Sequence, residues 1–226
     1  MDLIGKLTRR EQPATGSWPD LNEELRHEIT SASDAPGLVD IWELSPLRFD
    51  DNDNHSAQII ATIFSDPETL ICAGPDQHRF ATKKRREWKQ WHKLRFICPS
   101  PMVARRGRTQ SGKVSAHALS IVGPRRYLVV EFDHGSADDH AALLLHLAQY
   151  APLTLVVHSG NKSVHGWYYC FGQPEELLLR FFRYAVSLGA DPMTWVPSQF
   201  VRVPDGRHSN GRRQTTYYFD PVTIER

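Results

Sequence analysis

The chain has 226 residues, 40% of them apolar and 23% charged, with a formal net charge of +1. That length supports one sizeable core, or one domain with an arm, and no apolar run approaches the ~20 residues of a membrane span, so no membrane association is expected. The opening MDLIGKLTRREQ lacks the charged-then-apolar layout of a secretory leader, and three scattered cysteines, Cys72, Cys98 and Cys170, give no disulfide framework, which favours a reducing, cytoplasmic setting.

The N-terminal third is acidic: residues 1–78 carry 5 Lys/Arg against 15 Asp/Glu. Within it, LNEELRHEITSA after a candidate cap at Asp20 predicts a short amphipathic helix. GLVDIWELSPLRF shows strand-like patches broken by Pro46, and DDNDNHSAQIIATIF passes from an acidic turn into a second helix. Asp50, Asp51 and Asp53 in that turn offer either a cation site or a solvated cap. The cysteine and histidine spacing at Cys72, His78 and Cys98 matches no standard zinc site, which leaves buried thiols.

Residues 79–113 reverse the charge, with 12 Lys/Arg against 1 Asp/Glu. The segment sets Lys83, Lys84, Arg85, Arg86, Arg105 and Arg106 among Trp88, Trp91 and Phe96, a mixture suited to neutralising phosphates and stacking on bases. A solvated basic face with its aromatics turned into the core is the competing reading.

The second half is regular and charge-balanced, with 10 Lys/Arg and 10 Asp/Glu over residues 114–226. RRYLVVEFD reads as a strand and ADDHAALLLHLAQYA as a helix with an acidic first turn; LTLVVHS and VHGWYYCF are two further strands. PEELLLRFFRYAVSLGA is a helix opened by its proline and closed by Gly189, after which QFVRVP and QTTYYFD are two last strands. The order predicts an α+β fold of split-βαβ type, an antiparallel sheet with helices on one face.

Strand alternation puts Glu131 and Asp133 on one face at a strand end. Two carboxylates so close repel, and a divalent ion with oxygen ligands, Mg²⁺ or Mn²⁺, removes the conflict; a solvated end with Asp133 capping the next helix is the alternative. The loop SGNKS between two apolar strands can present backbone N–H groups as an anion nest, with Lys162, Ser163 and His165 adding a charge, a hydroxyl and an imidazole suited to a triphosphate. A tight hairpin with a core-facing histidine explains the same residues. Asp191 beyond the last helix offers a further metal ligand or a turn-forming Asp-Pro, and Arg202 sits inside a strand pattern where a solvated role fits poorly. There is no GxxxxGK[ST] phosphate loop, so any helicase partner belongs to another chain or to a part outside this one.

Taken in order, the pair Glu131-Phe132-Asp133, then Ser163-Val164-His165 within SGNKSVHGWYY, then Ala190-Asp191 and the tail RVPDGRHSNGRRQTTYYFDP resemble the archaeo-eukaryotic primase superfamily, in the form found in plasmids, phages and other mobile elements. Glu131 departs from the family's usual aspartate, and Asp205 rivals Asp191 as the third acid. The resemblance covers residues 120–222 and implies an RNA-recognition-like catalytic core over 121–226 joined to an N-terminal α/β unit over 1–120. It implies template-directed nucleotidyl transfer on single-stranded DNA, with Glu131, Asp133 and Asp191 holding Mg²⁺ or Mn²⁺. Ser163 and His165 would contact a nucleoside triphosphate, Lys162 and Arg202 would add charge there, and the basic segment would track the template. A metal-dependent nuclease and a non-catalytic single-stranded nucleic-acid binding module use the same residues differently and remain alternatives.

Overall fold

The computed structural model describes residues 17–50 and 54–224; the opening segment, Asp51 and Asp53 lie outside them. Three helices come first: α1 (Glu23–Ser31), α2 (Leu38–Glu43) and α3 (Ser56–Ile63). Five short strands follow, β1 (Leu70–Gly74), β2 (Ala81–Lys84), β3 (Phe96–Ile97), β4 (Gly107–Arg108) and β5 (Val114–Ser115). The regular half then runs β6 (Tyr127–Phe132), α4 (Ala137–Leu147), β7 (Leu153–His158), β8 (Val164–Tyr169), α5 (Glu175–Ser187), β9 (Val201–Arg202) and β10 (Thr216–Phe219).

The fold is α+β with antiparallel sheets, as the sequence pattern predicts. One four-stranded sheet has the order β10-β7-β8-β6 and a second the order β2-β1-β3-β9, with β4 and β5 forming a separate hairpin. In the first, β8 lies antiparallel between β6 and β7, the split-βαβ arrangement. Period-two alternation gives this sheet two apolar faces. Leu128, Val130 and Phe132 of β6 pack under α4 and α5 with Leu144, Phe181 and Phe182. Tyr127, Val129, Leu155, Val157 and Trp167 turn the other way and meet Ile71, Ile97 and Val201 of the second sheet together with Ile59, Ile60 and Ile63 of α3. All three cysteines are buried and free, Cys72 and Cys98 on the outer side of the second sheet, whereas His78 is exposed.

Three expectations change. Asn22 rather than Asp20 caps α1, its Oδ1 accepting from Leu25 N at 3.0 Å while its own N–H donates to Ser187 O at 2.8 Å. GLVDIWE is helical, not strand-like, because caps are supplied to α2 from both near and far. Asp40 accepts from Gly37 N at 2.6 Å, and Asp138 of α4 accepts from Leu38 N at 2.8 Å. QFVRVP leaves the first sheet altogether: β9 pairs with β3, Phe96 opposite Arg202. Chain order and packing therefore part company, since Trp18, Leu25, Ile29 and Leu38 pack on the helical layer of the second half while β9 completes the sheet of the first.

Candidate active site

The site starts from one register. Glu131 on β6 lies directly opposite His165 on β8, which in turn lies opposite Val157 on β7. Directly paired residues share a face, so Glu131 and His165 must meet. His165 Nε2 is 3.3 Å from Glu131 Oε1 and 3.3 Å from Ser163 Oγ. This contact is not an ion pair. Burial, followed by the positive charge of Arg202, holds the imidazole down at about 3, so His165 is neutral and its Nδ1 is buried without a protein partner. Burial also pushes the Glu131 carboxyl above the usual range, the charge of Asp191 adding to it, while a hydrogen bond from Ser163 and the charge of Arg202 pull the other way.

Asp191 reaches Glu131 by backbone pairing. Ala190 forms an isolated antiparallel bridge with Phe132, and Asp191 N donates to Glu131 O at 2.9 Å, so the segment after α5 lies along the outer edge of β6. The Asp191 side chain also accepts from Met193 N at 2.9 Å as the cap of a 3-10 turn. Asp205 is elsewhere and fully engaged: its side chain accepts from His55 N, Thr216 N and Arg213 Nη2. Ser136, not Asp133, caps α4, which leaves the Asp133 carboxylate at the strand end, where its charge acts on both His165 and Arg202.

Arg202 comes from the second sheet and closes the site from the opposite side. Its guanidinium lies 4.9 Å from the centre of the Phe96 ring, and that of Arg95 lies 4.7 Å from the same centre. Arg202 Nη1 and Arg95 Nε are buried without protein partners. Burial lowers the Arg202 pKa, and Arg95 lowers it further against Glu131 and Asp133. The Arg202 guanidinium, beside Glu131 and Asp133 and with a buried unpartnered nitrogen, suits an anionic group. Arg95 was hidden in the sequence within the basic segment; its signal is the same as that of Arg202, a charge written into a strand pattern.

The loop 159–163 differs from an anion nest. Gly160 N donates to His158 Nδ1, and Asn161 N and Ser163 N both donate to Ser159 Oγ, so these amides are already used inside the turn. Gly160 has φ +77°, and a Cβ there would stand 2.7 Å from Arg213 O, which packs the loop tightly against the 207–213 turn. Asn210 Nδ2 reinforces this by donating to Gly160 O at 3.1 Å. Lys162 is exposed at the loop tip, near the same turn. The loop therefore offers side chains rather than the amides of Gly160, Asn161 and Ser163.

The basic segment is also partly spent. Lys84 pairs with Glu68 at 2.5 Å, Arg86 pairs with the same carboxylate, and Arg105 pairs with Glu87 at 2.8 Å. Arg85 donates to Ser65 O at 3.1 Å. Trp91 and Phe96 are buried in the core, and Trp88 is half-buried with its indole N–H donating to Ile71 O at 3.3 Å. Lys83 lies 4.8 Å from the Trp88 ring centre, and with Arg79 and Phe80 these two line a shallow groove of about 270 Å³. Arg106 and Lys113 are exposed beside or on the β4-β5 hairpin, without an ion-pair partner among the described residues.

Two solved structures align with this chain. A primase-polymerase domain of cyanophage S-2L, itself described as an archaeo-eukaryotic primase domain, aligns at a TM-score of 0.47 and 15% identity over 74% of this chain and 92% of that one. The polymerase domain of Mycobacterium tuberculosis ligase D, solved with DNA, aligns at 0.35 and 11% identity over 95% and 89%. No family model and no curated protein matches the sequence. Among the described residues no three His, Cys, Asp or Glu side chains converge on one point as a preformed metal site, and no helix is long and apolar enough to cross a membrane.

Proposed function

We propose that the protein is a template-directed nucleotidyltransferase that joins nucleoside triphosphates on single-stranded DNA. The observation that carries this reading is the opposition of charge between the end of β6 and Arg202 of the second sheet. Glu131, Asp133 and Asp191 lie at the end and outer edge of β6, while Arg202 of the second sheet, with a buried unpartnered nitrogen, acts on Glu131 and Asp133.

The acids fit a hard divalent cation in chemistry: all are oxygen donors, and the charge of Asp191 already works against ionisation of Glu131, a conflict that a cation relieves. Glu131, Asp133 and Asp191 would hold Mg²⁺ or Mn²⁺, drawn together by the ion. When bound, it would supply charge neutralisation at the triphosphate and activation of the attacking 3′-hydroxyl. Arg202 and Arg95 hold the phosphate oxygens. Neutral His165 keeps Glu131 from being neutralised by an ion pair, and its Nε2 and the Ser163 hydroxyl orient that carboxylate. Lys162 at the loop tip adds charge toward the outer phosphates. The groove of Arg79, Phe80, Lys83 and Trp88, continued by the hairpin cations, receives the template backbone.

The test is incubation of the purified chain with single-stranded DNA, labelled nucleoside triphosphates and Mn²⁺ or Mg²⁺, resolved on a denaturing gel, with Asp133→Asn as control. Labelled product of several nucleotides, lost in the variant, is the expected result. Shortened DNA would identify a nuclease instead, and retarded but unaltered DNA a binding module.

A further inference from the structure

The N-terminal helix carries no motif, yet it touches both loops that bear the site's outer acids. We propose that Arg26 of α1 is a positioning residue that ties the Asp133 loop to the Asp191 loop and so sets the separation of two of the three carboxylates. The role in catalysis rests on the nucleotidyltransferase reading; the tether itself does not.

Arg26 Nη1 donates to Leu188 O at 2.5 Å, and Nη2 donates to His134 O. His134 directly follows Asp133, and Leu188 ends the helix that delivers Ala190 and Asp191 to the edge of β6. The guanidinium lies 5.6 Å from the centre of the Phe132 ring, so it spans the strand end between the two carbonyls. Both loops are shaped to admit it. Gly135 (φ +111°) and Gly189 (φ +94°) adopt backbone conformations that favour glycine, and a Cβ on either would stand 3.0 Å and 2.7 Å respectively from an Arg26 nitrogen. His140 Nε2 meets the same His134 carbonyl at 3.1 Å, fixing it from the helical side.

The helix bearing Arg26 is itself anchored. Asn22 N donates to Ser187 O at 2.8 Å, Trp18 stacks edge-on against Phe182 with ring centres 5.4 Å apart, and Leu25 and Ile29 join the core under α4 and α5. A guanidinium is a rigid fork with donors on two nitrogens, whereas a lysine offers one nitrogen and cannot serve both carbonyls in the same way. The guanidinium thus serves each loop with a separate nitrogen.

The experiment compares wild type, Arg26→Lys and Arg26→Gln by hydrogen exchange over the 133–136 and 189–194 loops, with kcat and KM for the triphosphate measured in parallel. In Arg26→Gln both loops should exchange about tenfold faster while the centre of β8 is unchanged. In the same variant kcat should fall by about ten- to a hundredfold with KM little altered, since the acids are misplaced but the arginines that bind phosphate are not. Arg26→Lys should restore protection to one loop only. Unchanged exchange in both loops, or protection lost equally throughout the chain, would overturn the tether. An inactive wild-type chain would refute the nucleotidyltransferase reading, and the exchange data would still decide whether Arg26 couples the loops.

Discussion

Replacing Asp205 and Asp191 in turn should separate a structural acid from a working one, although both follow the last helix in the same loop-rich segment. Asp205→Ala removes a side chain that is 1% exposed and accepts from His55 N at 3.2 Å, Thr216 N at 3.1 Å and Arg213 Nη2 at 2.6 Å. Each buried backbone N–H left without its acceptor costs about 1–3 kcal/mol. Asp205 also holds φ 56°, a left-handed conformation that aspartate tolerates better than alanine, for a further ~1 kcal/mol. The sum is about 4 kcal/mol or more, and for a chain of this size it lowers the melting midpoint by roughly 8–16 °C. Asp191→Ala loses one cap hydrogen bond to Met193 N at 2.9 Å in a half-buried turn, about 1 kcal/mol and a few degrees. Thermal melts followed by circular dichroism, with the primer-synthesis assay run well below both midpoints, should give a stable and inactive Asp191→Ala beside an unstable and active Asp205→Ala. A near-normal midpoint for Asp205→Ala together with loss of synthesis, or retained synthesis in Asp191→Ala, would refute this division.

Two further outcomes are expected. The His165 imidazole is held at about 3 in the fold against 6.5 in the unfolded chain, so the unfolded state takes up a proton first and stability is lost as pH falls below 6.5. That one group should remove about 2 kcal/mol between pH 7 and pH 5, read from urea melts, and His165→Gln should flatten the profile. Glu131 acts in the opposite sense, since its raised carboxyl lets the folded state regain stability as pH falls through its folded value; a wild-type stability that rises from pH 7 to pH 5 would count against neutral His165. For DNA binding, Lys83, Arg106 and Lys113 together should flatten the salt dependence by up to ~0.7 in log-log slope per residue when replaced with Ala, because each can displace a counterion. Lys84 and Arg86, already paired with Glu68, should contribute less; a larger effect from these two would move the template path to the Glu68 side.

The sequence by itself determined the parts of this protein that depend on local periodicity. The run β6-α4-β7-β8-α5 is legible because apolar residues repeat every second or every third to fourth position, and because Pro174 and Gly189 punctuate the last helix. The place of Glu131 and Asp133 at the end of that first strand follows from the same alternation. Tertiary structure decided the rest, for reasons no window of sequence contains. The helix α2 exists with a cap that Asp138 supplies from a hundred residues away. Asp191 rather than Asp205 stands beside Glu131 because Ala190 pairs with Phe132, a long-range register. Arg202 comes within electrostatic reach of Glu131 and Asp133 because β9 crosses to the other sheet. The basic run gave Lys84, Arg86 and Arg105 to ion pairs with Glu68 and Glu87, and Trp91 and Phe96 to the core. Arg26 became part of the site's frame through two carbonyls it reaches only in the folded chain. Periodicity is written residue by residue, whereas pairing register, burial and charge neutralisation arise only once distant segments are brought together.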